Sequence, residues 1–220
     1  MVSDRQEQAK ILIVDDHPMV RDGLAMRILT QPDLNVCGDA ATEDEAFLLV
    51  QQTSPDLVIV DISLKNGNGI ELIKKINSHY PAVKMLVFSG YKESIYAERA
   101  LRAGALGYLN KQESSGKLLE AIRALLAGQR YVGPGVTQRL VSQALGNAGE
   151  TKPPFERLTT RELEIFRMVG QGLASGAIAN QLFLSTHTID THRENIKRKL
   201  DLKNAGELTR AAVQWVLENG

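Results

Sequence analysis

The sequence has little of several features that would narrow its function. Cys37 is the only cysteine, so no intrachain disulfide is possible and a reducing compartment is expected. Lys plus Arg and Asp plus Glu balance at 26 each, so no net charge of one sign indicates a partner. No apolar run approaches the ~20 residues that span a bilayer, and the polar residues 1–10 contain no signal-peptide core. We therefore expect a cytoplasmic protein that does not associate with membranes.

The first part of the chain alternates apolar runs with helical patterns. The runs are short and rich in β-branched residues, as in strands buried on both faces. They begin at Ile11, Leu34, Leu57, Val83 and Leu106. Five strands alternating with five helices predict a doubly wound α/β domain over residues 9–128. Its parallel sheet is expected to have the strand order 2-1-3-4-5.

The composition changes after residue 128. Residues 129–153 are rich in glycine and proline and contain one weak helical pattern, which indicates a linker. Residues 154–220 show several helical patterns without strand-like alternation, and they predict a small all-α domain. Basic residues cluster in this domain around Arg193, Lys197 and Lys203. They are a modest indication of a polyanionic partner.

Three carboxylates are expected at one edge of the sheet. Asp15 and Asp16 follow the first strand, and Asp61 follows the third. The topological switch point lies between these two strands, at the crevice where such sheets bind ligands. Three neighbouring acids require a positive partner, and oxygen ligands favour a hard cation such as Mg²⁺. A carboxylate beside this cation can attack a phosphoryl group.

A hydroxyl and an ammonium group follow the remaining two strands. Ser89 ends the fourth strand, and Lys111 follows the fifth. Each can bind an oxygen of a phosphoryl group on Asp61. His17 stands beside the acids, but a role in the turn explains it more simply than a role as a ligand.

With this set assembled, residues 10–128 resemble the flavodoxin-like receiver domain of bacterial response regulators. The matching residues are Asp15, Asp16, Asp61, Ser89, Tyr108 and Lys111. The resemblance implies that Asp61 accepts a phosphoryl group from a sensor histidine kinase. It implies that Asp16, Asp61 and the backbone carbonyl of Ser63 hold Mg²⁺, and that Asp15 acts through a metal-bound water. Ser89 and Tyr108 would form a switch pair in which Tyr108 turns inward on phosphorylation.

Two positions depart from the receiver pattern. Lys65 and Gln112 stand where many receivers have proline. The first change affects the loop after Asp61, and the second follows Lys111 directly. Neither departure removes a functional group from the predicted site.

The helical domain contains a helix-turn-helix pattern. Residues 175–182 predict a short helix, and Ser185 with Thr186 begins a longer basic helix that ends near Leu200. The longer helix is expected to enter the major groove with its amino end first. The predicted DNA-binding residues are Ser185, Thr186, Thr188, Asp190, Thr191, His192, Arg193, Glu194, Lys197 and Arg198.

This segment resembles the LuxR/NarL/FixJ type of DNA-binding domain. The resemblance rests on Leu158, Thr159, Arg161, Glu162, Gly172, Ile178, Ala179, Leu182, Ser185, Thr188, Ile189, His192, Ile196, Lys199 and Leu200. It implies that a homodimer binds double-stranded promoter DNA. The dimer contact would lie on the last helix, through Leu208, Ala212, Trp215 and Val216.

Two acids on the recognition helix are unexpected in this resemblance. The family often has lysine at the position of Asp190, and Glu194 is acidic as well. An acid facing the groove repels phosphates, so it is tolerated where it accepts a hydrogen bond from a base. Cytosine N4 is the natural donor, and we predict that Asp190 or Glu194 reads cytosine.

Together these patterns predict a response regulator of a two-component system, which acts as a transcription factor and not as an enzyme. Three alternatives remain at this point. A phosphohydrolase with an aspartyl nucleophile usually has a second acid two residues later, where this chain has Ser63. A DNA-binding regulator that works without phosphorylation would leave the complete acidic set unexplained. The basic residues of the second domain would also suit the solvated face of a generic helical module.

Overall fold

The computed structural model describes residues 8–65, 67–145 and 154–219. The chain divides into two compact units, the first ending at Ser142 and the second beginning at Gln143. The first unit combines strands and helices, and the described part of the second contains helices. No described helix has both the length and the apolar content needed to cross a membrane.

A five-stranded parallel sheet forms the centre of the first unit. Its strands are β1 (Ala9–Val14), β2 (Leu34–Ala40), β3 (Leu57–Val60), β6 (Lys84–Ser89) and β7 (Gly107–Asn110), and the short antiparallel pair β4 (Ser63–Leu64) and β5 (Gly67–Asn68) lies outside it. The order β2-β1-β3-β6-β7 confirms the predicted 2-1-3-4-5 topology, because the extra pair accounts for the difference in numbering.

Helices follow the strands of this sheet. They are α1 (Pro18–Leu29), α2 (Glu43–Thr53), α3 (Gly69–His79), α4 (Glu93–Ala103) and α5 (Ser115–Leu126). Side chains of α1 and α5 pack on one sheet face in a cluster that contains Ile11 and Ile59. Leu12 and Val58, which alternate with them, are buried as well. Burial on both faces explains why the strands are continuous apolar runs.

The loop after Asp61 is held in a tight conformation. Gly69 begins α3, and its N–H donates to the Ile62 carbonyl at 2.8 Å. A Cβ atom on Gly69 would lie 1.9 Å from the carbonyl oxygen of Asp61, so a larger residue cannot occupy this position. Asn68 caps α3 by accepting a hydrogen bond from the Ile70 N–H at 2.9 Å. Asn68 and Gly69 therefore fix the backbone conformation of the loop that follows Asp61.

The predicted linker pairs with the sheet near its start, at Tyr131. Tyr131 forms a parallel bridge with Gly107 in β7. Its N–H donates to the Leu106 carbonyl at 3.1 Å, and its carbonyl accepts from the Tyr108 N–H at 2.8 Å. A Cβ atom on Gly107 would lie 2.8 Å from the Tyr131 carbonyl oxygen, so glycine permits this close approach. The chain near residue 131 therefore belongs structurally to the sheet.

A helix follows this edge contact. The weak helical pattern of the predicted linker corresponds to α6 (Pro134–Ala144), and Val136 in it is buried. Gly133 precedes the helix and donates its N–H to the Glu93 carboxylate at 2.5 Å. The remainder of the predicted linker, residues 146–153, lies outside the described residues.

The second unit contains a short 3₁₀ helix at Pro154–Arg157 and four α-helices. These are α7 (Thr160–Gly170), α8 (Ser175–Leu182), α9 (Thr186–Leu200) and α10 (Ala205–Asn219). A capping box begins α7, because Thr159 and Glu162 each accept the backbone N–H of the other. Ser185 caps α9 by accepting from the Thr188 N–H at 3.0 Å. Residues 175–200 therefore form the expected short helix, turn and longer helix.

Helices α7 and α10 pack closely at Gly170. A Cβ atom there would lie 2.3 Å from the Ala212 carbonyl oxygen and 2.6 Å from Val216 Cγ2. The Trp215 ring packs edge-on against Phe166, with the ring centroids 6.1 Å apart. Both rings are buried, so this contact belongs to the core of the second unit.

The burial of α10 corrects the predicted dimer contact. The structure places Leu208, Ala212 and Trp215 in the core, and Val216 is only partly exposed. A side chain buried in its own domain is not available to a second copy. The exposed apolar residues of α10 are Val213 and Leu217, with 39% and 78% of their surface accessible.

Candidate functional sites

The acids predicted from three sequence positions meet at one edge of the sheet. Strands β1 and β3 pair in register through Val14 and Val60, so the residues that follow them lie side by side. Potential ligand atoms of Asp15, Asp16, His17 and Asp61 all lie within 4.8 Å of one another. Asp15 and Asp61 are buried, and Asp16 is partly exposed. The cluster therefore opens to solvent on the side of Asp16 and His17.

Lys111 bridges the two buried acids. Its Nζ lies 2.6 Å from Asp15 Oδ2 and 2.7 Å from Asp61 Oδ2. The Lys111 N–H donates to the Ser89 carbonyl at 2.9 Å, which fixes the backbone from which the side chain extends. Burial of Lys111 disfavours its charge, but the two carboxylates outweigh this effect and raise its pKa. The ammonium group therefore stays charged between the acids.

Asp61 is left with one unsatisfied oxygen. Its Oδ1 is buried and has no hydrogen-bond partner among the described residues. Burial raises the pKa of Asp61, Lys111 opposes the rise, and the neighbouring Asp15 adds to it. One ammonium group therefore does not fully stabilise the ionised cluster. An all-oxygen donor set with a surplus of negative charge fits a hard cation such as Mg²⁺.

Ser63 and His17 complete the surroundings of the cluster. Ser63 lies two residues after Asp61 in β4, where it pairs with Asn68. The His17 Nδ1 lies 2.6 Å from Asp16 Oδ1 and 3.3 Å from Asp15 Oδ1. The sequence favours a turn role for His17, and the residue does precede α1 without a side-chain capping bond. Its contact with both acids is an addition that the sequence alone does not indicate.

The predicted switch residues share one contact point, the backbone of Tyr91. Ser89 is buried, and its Oγ accepts from the Tyr91 N–H at 3.4 Å. The Tyr108 hydroxyl donates to the Tyr91 carbonyl at 2.8 Å, and Asn110 donates to the same oxygen at 3.0 Å. Burial raises the pKa of Tyr108, so its hydroxyl remains a donor. Asn110 is a member of this group that the sequence interpretation omits.

The side chain of Tyr108 already lies in the orientation that the resemblance implies only after phosphorylation. The sequence interpretation has its ring turn inward only on phosphorylation. The structure already holds the side chain inward, with 1% of its surface exposed. Its hydroxyl bond to Tyr91 accounts for this position, because the buried ring would otherwise leave a polar group unsatisfied.

Helix α9 presents most of the predicted DNA-binding residues to solvent. The exposed residues are Thr186, Asp190, Thr191, Glu194, Arg198 and the capping Ser185, and the partly exposed ones include Thr188, Arg193 and Lys197. His192 is partly exposed as well, although its Nδ1 is buried. Burial lowers the pKa of His192, and the nearby Glu162 only partly opposes this. His192 therefore packs one ring nitrogen inside the unit while the residue stays partly exposed, and its contact with DNA stays a prediction.

The two acids of α9 have different partners. Glu194 pairs with Lys197 one turn later on the same helix, at 2.8 Å. Asp190 accepts a hydrogen bond from the hydroxyl of Ser175 on α8, at 2.9 Å. The same hydroxyl accepts from the Arg193 guanidinium at 3.0 Å. Sequence reasoning does not single out Ser175, because its partners are on another helix.

Two family descriptions match the two units. Residues 11–123 match the response regulator receiver domain, and residues 156–212 match the bacterial regulatory proteins of the luxR family. The oxygen regulatory protein NreC of Staphylococcus carnosus (strain TM300) is 36% identical over 210 residues, which cover 93% of this chain and 97% of that protein. NreC of Staphylococcus haemolyticus (strain JCSC1435) is also 36% identical over 210 residues, with the same coverage of both chains.

Solved structures agree with these matches. A two-component response regulator of the LuxR family from Aurantimonas sp. SI85-9A1 is 36% identical, with a TM-score of 0.58 over 63% of this chain and 99% of that chain. RcsB from Salmonella enterica serovar Typhimurium, solved on promoter DNA with the phosphomimetic BeF3−, is 25% identical. Its TM-score is 0.63 over 94% of this chain and 100% of that chain. The chain belongs to the response regulator family with a LuxR-type DNA-binding domain, and it is a response regulator transcription factor.

Proposed function

We propose that a sensor histidine kinase phosphorylates Asp61 in an Mg²⁺-dependent reaction, which promotes dimerisation and sequence-specific binding of promoter DNA. The observation that carries the proposal is the buried Oδ1 of Asp61, which has no hydrogen-bond partner among the described residues. It belongs to a carboxylate that Lys111 contacts through its other oxygen. This arrangement leaves a nucleophilic oxygen inside an otherwise stabilised site.

The chemistry follows from the groups around Asp61. A carboxylate oxygen of Asp61 forms a bond to phosphorus, the P–N bond to the kinase imidazole breaks, and the imidazole takes up a proton. Mg²⁺, held by Asp16, Asp61 and the carbonyl of Ser63 with Asp15 beside them, would neutralise charge on the phosphoryl oxygens. Lys111 contacts both buried acids and is positioned to bind a phosphoryl oxygen.

The backbone of Tyr91 transmits the effect of phosphorylation from the acidic site to the loop before α4 and to β7. A phosphoryl group adds roughly −2 charge and strong acceptor oxygens. When the Ser89 hydroxyl turns to donate to it, the hydrogen bond from the Tyr91 N–H to Ser89 is lost. The loop before α4 then shifts, and the bond from Tyr108 to the Tyr91 carbonyl transmits this shift to β7. Phosphorylation thereby biases an equilibrium between two existing arrangements.

The activated protein binds DNA as a dimer, in which each copy of the chain contacts one half-site. Helix α9 enters the major groove, and Lys197 and Arg198 contact phosphates. Because the core side chains of α10 are unavailable, the second copy contacts the exposed Val213 and Leu217. Phosphate contacts make the affinity fall steeply as salt concentration rises.

The regulatory reading is favoured over an enzymatic one. The relatives are regulatory proteins by name. A phosphohydrolase of the aspartyl type needs a general acid two residues after its nucleophile, and that position holds the hydroxyl of Ser63.

Intact mass spectrometry tests the phosphorylation step. The full chain is incubated with a small phosphodonor, with and without Mg²⁺, beside the variant Asp61→Asn. We expect one added phosphoryl group in the wild type with Mg²⁺ and none in the other samples. A folded wild type that gains no phosphoryl group from either the donor or a phosphorylated kinase would contradict the proposal.

A further inference from the structure

We propose that Ser175 is a positioning residue for base recognition. Together with Arg193 it holds Asp190 near the amino end of α9, where the Asp190 carboxylate accepts a hydrogen bond from the N4 amino group of a cytosine. The sequence leaves open whether Asp190 or Glu194 has this role, and the contacts favour Asp190. This inference rests on the proposed binding of DNA through α9.

The hydroxyl of Ser175 is free to bond to another helix because of its place in α8. Ser175 is the first residue of α8, and the capping position before it is Ala174, which makes no side-chain capping bond. A serine one residue earlier would use its hydroxyl to cap its own helix. The Ser175 Oγ instead donates to Asp190 Oδ1 at 2.9 Å and accepts from the Arg193 guanidinium at 3.0 Å. One hydroxyl therefore connects an acid and a base on α9.

This connection makes an acid near the groove tolerable. Asp190 is exposed, and a free carboxylate there would be repelled by the DNA phosphates. Arg193 is partly buried and bonds to the same hydroxyl as Asp190, so a positive charge remains close to the acid. The bond from Ser175 uses one carboxylate oxygen and fixes the direction of the other.

Glu194 lacks a comparable support. Its partner is Lys197 on the same helix, and 72% of the Glu194 side chain is exposed. No hydrogen bond from another helix to Glu194 is present among the described residues. Ordering this longer side chain on DNA would cost conformational entropy. Asp190 would lose less entropy on binding, because its hydrogen bond from Ser175 already orders the side chain. The Glu194–Lys197 pair therefore serves as a surface pair at the edge of the contact.

The chemistry of the major groove selects cytosine as the partner of Asp190. A carboxylate is an acceptor, and cytosine presents the N4 amino donor. Guanine and thymine present acceptors there, which repel a carboxylate. Adenine has an amino donor, but the neighbouring N7 acceptor makes it a poorer match.

The test is selection of binding sites from randomised duplexes by the full chain, phosphorylated with a small donor and Mg²⁺. We expect the wild type to enrich a cytosine at one position of each half-site. In Ser175→Ala the preference for cytosine over the other bases at that position should fall about 10-fold, since a lost base contact has this magnitude. Ser175→Thr keeps the hydroxyl and should retain the preference. Asp190→Asn should change the preferred base from cytosine to adenine, because an amide pairs with adenine. Glu194→Gln tests the other candidate acid, and the proposal expects the cytosine preference to persist in this variant.

The outcomes separate this inference from the proposed function. An unchanged cytosine preference in folded Ser175→Ala or in Asp190→Asn would overturn the inference while DNA binding stands. Loss of the preference in Glu194→Gln alone would also overturn it. If the wild type bound no duplex at all, the proposed function would fail together with the inference. Fluorescence of Trp215, the only tryptophan, verifies that each variant is folded. If Ser175→Ala does not fold, the change of base in Asp190→Asn decides.

Discussion

At the scale of single residues, Lys111 carries the electrostatic balance of the phosphorylation site. It lies within 2.7 Å of both Asp15 and Asp61, which are buried acids. Removing one member of a buried ionic group leaves the remaining charges uncompensated. The resting protein therefore depends on the same ammonium group that is proposed to bind the phosphoryl group.

This dependence predicts the effect of Lys111→Met. We expect it to lower the free energy of unfolding of the first unit at pH 7.5 by about 3 kcal/mol, the usual cost of breaking a buried pair. The loss should shrink as the pH falls, because protonated acids no longer repel each other. Urea unfolding followed by circular dichroism measures both effects. Lys117→Met is the control, since its pair with Glu113 at 2.8 Å is exposed and screened by solvent, so its loss should change the stability little. Equal effects of the two substitutions would contradict the role of Lys111.

His192 predicts a pH dependence in the second unit. Burial lowers its pKa in the folded state, so the unfolded chain binds a proton more readily. Stability should therefore decrease as the pH falls through about 6.5, the pKa of an unfolded histidine, and level off below the folded pKa. Urea unfolding at several pH values, followed by Trp215 fluorescence, reports on this unit. His192→Gln should remove most of the dependence, whereas His187→Gln, at an exposed position, should not. A dependence that persists in His192→Gln would show that another group causes it.

At the scale of elements, two glycines in the helical unit have opposite consequences. Gly170 lies in α7, where a Cβ atom would clash with the backbone of α10 at Ala212. Gly176 lies in α8 with nothing within 4 Å of an added Cβ atom and without a positive φ angle. The first glycine permits helix packing, and the second has no packing role in the structure.

Alanine substitutions at Gly170 and Gly176 should change the stability of the second unit in opposite directions. Gly176→Ala should raise the free energy of unfolding by up to ~1 kcal/mol through helix propensity. Gly170→Ala should lower it by about 2 kcal/mol, since the helices must separate to admit a methyl group. Trp215 fluorescence in urea measures both. Stabilisation by Gly170→Ala would show that the α7–α10 contact is looser than described.

Elements differ in how far the sequence predicts them. The strands of the sheet are predictable because burial on both faces makes each a continuous apolar run, as at Leu57–Val60. The bridge of Tyr131 to Gly107 is not, because an edge pairing of one residue leaves no periodic pattern. The pattern of α10 is apolar, but it does not distinguish a face in the core from a face for a partner. For this reason the sequence predicts a dimer contact at Trp215, whereas the structure buries that side chain in its own unit.

The candidate sites also contain some contacts that the sequence predicts and others that it does not. The acids and Lys111 are predictable because parallel strands place their carboxyl ends at one edge, so the position in the sequence fixes the position in space. The contacts of Ser175 with Asp190 and of Tyr91 with Tyr108 join residues that are 15 and 17 positions apart. Side-chain direction decides such pairs, and residue type alone does not reveal it.

At the scale of the whole molecule, the proposed dimer makes a prediction about DNA with two half-sites. Leu217→Glu places a charge on the exposed apolar face of α10, where 78% of the leucine surface is accessible. We expect this variant to keep the wild-type affinity for a duplex with one half-site and to lose roughly 10-fold or more on a duplex with two. Fluorescence anisotropy with both duplexes measures the difference. Met26→Glu, an exposed apolar position on α1, is the control. Equal affinities of Leu217→Glu and the wild type on both duplexes would exclude this face.

The central claim is that a phosphoryl group on Asp61 controls DNA binding by the second unit. The most direct measurement is the affinity of the full chain for its selected two-site duplex, with and without phosphodonor and Mg²⁺, for the wild type and for Asp61→Asn. Coupling between sites usually corresponds to about 5- to 150-fold in affinity. We predict a gain in this range for the wild type and none for Asp61→Asn. A wild type that carries the phosphoryl group yet binds DNA with unchanged affinity would contradict the claim, as would an equal gain in Asp61→Asn.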